Sequence, residues 1–211
     1  MVRRHPLSAA LPVAWFFTDE RLLLPVERVA AALPPGSGIV VRHDRLVPGA
    51  RWRLVRRLAA IARARGHILL LAGIPETARR WGADGVHLRQ RDARHAAQAR
   101  RNGLIVSMPV HDGKEARRTQ RAGAMLAFVS PLYPTRSHPS APALGTAKWA
   151  RLARASGAGP AALGGMTRGR ARRLQRQVAA QGMRVAWAAI GAWEDKALAR
   201  QKRQKRNAVP T

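Results

Sequence analysis

The chain has 211 residues, 46% of them hydrophobic, no cysteine, and a formal net charge of +28 from 39 Lys+Arg against 11 Asp+Glu. That length suits one barrel or one open α/β sheet and is short for two domains; the lack of thiols excludes a disulfide framework, a thiolate metal site and a cysteine nucleophile. The charge favours anionic partners, from small phosphates to nucleic acid, although arginines scattered over solvent-facing helix positions produce the same balance.

In chain order, β-prone apolar runs occur at 13–18, 39–43, 67–72, 84–88, 104–108, 125–130, 161–164 and 185–190. Between them lie Ala/Arg/Leu-rich stretches with helical spacing at 25–33, 50–65, 75–81, 93–101, 114–122, 147–155 and 167–181, and a last one follows at 193–202. Near-continuous apolar strands alternating with amphipathic helices predict a parallel sheet covered on its outer face. Eight such units predict a closed (β/α)8 TIM barrel of the α/β class. Gly66, Gly82, Gly103, Gly123 and Gly182 each follow a predicted helix, where a left-handed residue ends the helix.

The barrel is expected to occupy residues 1–195, with 196–211 as a basic C-terminal tail; 196–206 carry six basic residues and no acid. Arg3 and Arg4 precede an apolar stretch, but Pro6 and Pro12 interrupt it and Thr18-Asp19 follows it, so a signal peptide is not expected and a cytoplasmic location is. No apolar run is long enough to span a bilayer.

Chemistry in such a barrel sits just after the strands. Asp19, Asp44, Asp92 and Asp112 fall there, after strands one, two, four and five. Each is either a helix N-cap or a functional carboxylate; Asp112 with Glu115 fits a capping box, so Asp92 is the better functional candidate. Gly164-Gly165 after strand seven, followed by Met166-Thr167 and a helix, fits a phosphate held by backbone N–H groups, with Ile190-Gly191-Ala192 as the partner loop. His87, mid-strand, is expected to be a hydrogen-bonded core residue. His138, in a loop with prolines at 131, 134, 139 and 142, is the histidine expected to take part in chemistry. No pair has zinc-site spacing.

Two segments carry a family resemblance: GADGVHLRQRD at 82–92 and VSPLYPTRSHPSAPALG at 129–145. With FFTDERL at 16–22, GIVVRHD at 38–44, ALGGM at 162–166 and the strand at 185–190, they form six landmarks in order. The chain resembles the thiamine phosphate synthase and thiazole tautomerase superfamily. The resemblance implies a transferase that joins hydroxymethylpyrimidine pyrophosphate to thiazole phosphate, with release of pyrophosphate and Mg2+ as cofactor. By matching positions it implies that Arg42 grips pyrophosphate, Asp92 binds Mg2+, Thr135 and Ser137 contact the thiazole phosphate, and Gly165 offers its backbone to the same phosphate.

The chain also departs from the pattern. Asp44 stands at the family's lysine two positions after the retained arginine, Ala72-Gly73 at its Asn-Asp pair, Pro109 at a serine, and His138 at the lysine after P-T-x-[ST]. Arg89 and Arg91 add positive charge beside Asp92. Three functions are therefore open: a synthase with an altered pocket; a family member that binds a thiamine-pathway phosphate as sensor, carrier or enzyme of a related reaction; and a basic barrel that binds nucleic acid non-specifically through its surface and tail. Homo-oligomerisation is compatible with all three.

Overall fold

A computed structural model describes residues 11–135 and 142–207. Eight parallel strands close on themselves in sequence order, β8 pairing with β1. They are β1 (Ala14–Phe17), β2 (Gly38–Val41), β3 (Ile68–Ala72), β4 (Gly85–His87), β5 (Ile105–Val110), β6 (Leu126–Val129), β7 (Gly159–Ala162) and β8 (Ala186–Ala189). Outside them run α1 (Val26–Ala32), α2 (Pro48–Arg65), α3 (Pro75–Arg80), α4 (Ala96–Arg101), α5 (Gly113–Ala122), α6 (Gly145–Ala155), α7 (Arg168–Ala179) and α8 (Gly191–Asn207). The expected (β/α)8 barrel is the observed fold.

Strand alternation divides the core in two. Trp15, Phe17, Val40, Leu70, Ile105, Phe128 and Ala188 fill the barrel interior. Their neighbours Phe16, Ile39, Val41, Leu71, Val106, Val129 and Ala189 face the helices. Trp15 is fully buried because its partner across the ladder is Gly38: a Cβ at 38 would fall 2.1 Å from the Trp15 ring. The indole N–H donates to the Pro12 carbonyl at 2.7 Å, and the ring meets Phe128 edge-on at 5.6 Å. This arrangement plugs the lower barrel with side chains. Trp193 of α8 closes the β8–β1 seam by donating to the Trp15 carbonyl at 2.8 Å and stacking on Trp187.

Several boundaries differ from the sequence pattern. β5 extends through Pro109 to Val110, and β7 begins at Gly159 and ends before Leu163, because Gly164 at φ +91° leaves the extended region. The helix expected at 93–101 is a 3₁₀ segment, Gln90–His95, leading into α4. Gln90 holds that segment down: its amide donates to the Pro109 carbonyl at 2.5 Å and to Thr119 Oγ1 at 3.1 Å. α8 continues to Asn207, so the boundary expected between 195 and 196 falls within a helix. The five glycines expected after helices all hold positive φ, from +61° to +77°. Among the described residues no helix is long and apolar enough to cross a membrane.

Candidate functional site

A cavity of about 650 Å³ opens at the C-terminal ends of the strands. Its floor is aromatic. Phe17, His87 and Phe128 meet edge to face with ring centroids 4.7–5.5 Å apart. As expected for a core residue, His87 is hydrogen-bonded: its Nδ1 lies 2.9 Å from Ser107 Oγ. Burial, reinforced by the nearby Arg42 charge, pushes its pKa down to about 3, so the ring is neutral at physiological pH.

The wall at β2–β4 is cationic. Arg42 and Arg89 line it together with Asp44 and Ala72. Arg51 of α2 lies beneath, its side chain only 15% exposed. Its Nη2 donates to the carbonyls of Arg42 at 2.7 Å and Ala72 at 2.5 Å and to Asp44 Oδ1 at 2.9 Å. The other Asp44 oxygen accepts from Arg89 Nη2 at 2.5 Å. Both carboxylate oxygens of Asp44 are thus engaged by guanidinium groups. Arg42 itself makes no hydrogen bond or ion pair through its side chain among the described residues, while its backbone N–H donates to Thr18 Oγ1 at 3.0 Å. That hydroxyl also pairs with His43 Nδ1 at 2.8 Å, bracing His43 in its left-handed conformation at φ +37°.

The opposite wall is a backbone cup. Gly164, Gly165, Met166 and Thr167 after β7 face Ile190, Gly191 and Ala192 after β8. Thr167 caps α7, its hydroxyl accepting from the Arg170 N–H at 3.3 Å, so a helix N-terminus lies beside the cup. Arg170 joins the wall from the first turn of α7. Its guanidinium stacks 4.6 Å above Tyr133, with Nη1 donating to the Gly165 carbonyl.

Of the expected site residues, Arg42, Thr135, Gly165 and Ile190 lie together on this cavity. Ser137 and His138 lie outside the described residues. Asp92 sits on the 3₁₀ segment, is not among the lining residues, and has its carboxylate 3.9 Å from Arg91 Nε. Asp112 caps α5, accepting from the Glu115 N–H at 2.8 Å, while Glu115 binds the His111 ring at 2.7 Å and so positions that histidine on the cavity wall. Asp19 is held by Arg21, which pulls its pKa down to about 2. The sequence reading missed Arg51, Arg170 and Asp195. Arg170 was discoverable as a first-turn residue behind the Gly-Gly loop, whereas Arg51 becomes visible only once α2 is packed against the ends of β2 and β3.

The residues do not fit a resident Mg2+. Among the described residues no group of three His, Asp or Glu side chains could hold a metal ion. Asp44 is committed to two arginines, Asp92 is off the wall, and Ala72-Gly73 bring no carboxylate.

In sequence, comparisons with known proteins lead to one family. The thiamine monophosphate synthase family matches residues 15–189. A thiamine-phosphate synthase from Chromobacterium violaceum is 35% identical over 148 residues, 68% of this chain and 71% of that protein. One from Bacillus velezensis is 30% identical over 110 residues, 52% of this chain and 46% of that protein. In structure, the thiamine phosphate pyrophosphorylase of Pyrococcus furiosus superposes with a TM-score of 0.69 at 21% identity, covering 92% of this chain and 96% of the other.

Proposed function

The chain belongs to the thiamine monophosphate synthase family, and we propose that it joins a hydroxymethylpyrimidine diphosphate to a thiazole phosphate, forming thiamine phosphate and releasing diphosphate. The observation that carries this reading is the polarity of the cavity. An arginine unpaired among the described residues and its charged neighbours stand at one wall, a glycine cup at a helix N-terminus stands at the other, and aromatic rings lie between them. Two phosphorylated substrates joined through flat heterocycles need that distribution.

The chemistry then follows from this chain's residues. The bond between the pyrimidine methylene carbon and the diphosphate oxygen breaks, and its electron pair leaves with the diphosphate. Arg42 neutralises the charge that grows on that oxygen by charge-assisted hydrogen bonds from its guanidinium. The methylene cation left behind lies above the aromatic floor of Phe17 and Phe128, beside His87, whose depressed pKa keeps it uncharged and so free of repulsion toward the cation. The Gly164-Gly165 loop holds the thiazole phosphate so that the ring nitrogen lone pair captures the cation in the aligned pair. No protein proton transfer is required.

The test is a product assay with both substrates on wild type and Arg42→Ala. Thiamine phosphate above background in wild type, reduced at least 100-fold in the variant, is the expected result. Absence of product, with thiazole phosphate still raising the melting temperature, would instead establish a binding protein.

A further inference from the structure

The mismatch between the family's metal and the residues present points to a different way of holding the leaving group. We infer that the β2–β4 wall is a guanidinium site for diphosphate: Arg42 and Arg89 bind its oxygens, Asp44 and Arg51 hold Arg89 in place, and no divalent cation is needed. The inference rests on the reading that diphosphate is the group released here.

Three guanidinium groups, Arg42, Arg51 and Arg89, share this wall with one carboxylate, Asp44, which pairs with Arg51 and Arg89, so the four groups carry two net positive charges. Such a field attracts a polyanion and repels a divalent cation. Each oxygen of Asp44 is already held by a guanidinium cation, Oδ1 accepting from Arg51 at 2.9 Å and Oδ2 from Arg89 at 2.5 Å, so a metal there would have to displace or sit against a positive charge. The function of Asp44 is to orient. Arg51 is fixed by three acceptors, it fixes Asp44, and Asp44 in turn aims Arg89 across the mouth from β4. Arg89 uses one nitrogen for this contact and keeps further donors for a ligand, and its fork matches paired phosphate oxygens. Arg42 faces the same space with its guanidinium unpaired among the described residues.

The arrangement also accounts for two departures from the family pattern together. A carboxylate at position 44 would oppose an anionic substrate if it stood alone, and an arginine at position 89 would be unanchored. As a pair they turn a lysine position into a buttress and deliver the positive charge from the next strand but one.

The test is calorimetric titration of inorganic pyrophosphate into the full chain in EDTA and again in Mg2+, with inorganic phosphate uptake and cooperative unfolding as controls on the variants. Wild type should bind pyrophosphate in EDTA. Arg89→Ala should weaken that binding at least tenfold, and Asp44→Asn by three- to tenfold through loss of the Arg89 anchor, with phosphate uptake unchanged within twofold in both. Pyrophosphate binding that is absent in EDTA and present in Mg2+, or absent in both, or unaffected by Arg89→Ala, would overturn the inference. Product formation assayed in parallel separates the two claims. Synthesis and pyrophosphate binding that both require Mg2+ would sink the guanidinium site and leave the reaction standing. Pyrophosphate binding in EDTA without product under either condition would sink the reaction and leave the site.

Discussion

Gly164 lies against Pro131 so closely that a Cβ on the glycine would sit 2.7 Å from both Cα and Cβ of the proline. The two residues belong to the loops after β7 and β6, which are tied by Leu132 N–H donating to the Leu163 carbonyl at 2.9 Å and Tyr133 N–H to the Gly164 carbonyl at 3.2 Å. The glycine cup therefore exists because one loop is laid on the other. Gly164→Ala adds a backbone clash to an unfavourable φ of +91° and should cost about 2–4 kcal/mol. Chemical denaturation gives that figure directly, and an unchanged midpoint would mean that the loops are not packed as described.

Gly38 and Trp15 offer a reciprocal test in the barrel interior. Gly38→Ala drives a methyl into the indole at 2.1 Å and should leave the protein insoluble or severely destabilised. Adding Trp15→Leu removes the obstruction, so the double variant should recover at least 1 kcal/mol relative to the sum of the single changes, the sign expected of residues in direct contact.

The buried histidines make stability depend on pH. His87 has its pKa held at about 3 by burial against an ordinary value of 6.5, and burial also lowers those of His43 and His67. Between about pH 6.5 and pH 3 the unfolded chain binds protons that the folded chain refuses, so stability is complete above that window and falls as pH drops through it. Asp19, with its pKa lowered to about 2 from 3.8, adds a further loss only below about pH 3.8. Melting temperature should hold from pH 7.5 to about 6.5 and decline from there to pH 4.5, with a shallower slope in His87→Gln. A flat wild-type profile over that range would contradict the buried, neutral imidazole.

Glu194 fastens α8 to the loop after β1. One oxygen of this buried carboxylate accepts the N–H groups of Leu23 at 2.5 Å and Leu24 at 2.8 Å. Glu194→Ala strands two donors and should cost about 2–3 kcal/mol, or roughly 4–12 °C in melting temperature. Glu194→Gln keeps an acceptor oxygen and should cost less than half as much.

Arg170 adds a side-chain cation to a cup otherwise built of backbone. Because it stacks on Tyr133 and reaches the Gly165 carbonyl, Arg170→Ala should raise KM for the thiazole phosphate about 10- to 150-fold, the value of one hydrogen bond to a charged group at about 1.5–3 kcal/mol. The expected kcat stays within threefold, since the residue lies away from the bond being formed. Arg170→Lys should recover only part of the loss, because an ammonium does not reproduce the planar stack. Equal falls in kcat and kcat/KM would place Arg170 at the reacting centre instead.

The eight-fold alternation of apolar runs and helical stretches was legible along the chain because each strand and helix carries its own periodicity, and the Gly-Gly loop was legible because glycine and a capping threonine announce a turn into a helix. Arg42, Thr135, Gly165 and Ile190 could be placed on one cavity from their positions after β2, β6, β7 and β8. Asp92 could not: whether a residue after β4 points inward depends on the 3₁₀ segment, and that segment is held by Gln90 reaching a carbonyl on β5. The Arg51–Asp44–Arg89 cluster was equally out of reach, since its members come from α2, the end of β2 and the end of β4. Local pattern is enough for elements whose stability comes from burying one face. Charge pairing between distant segments is settled only when the closed barrel brings their ends within hydrogen-bond distance.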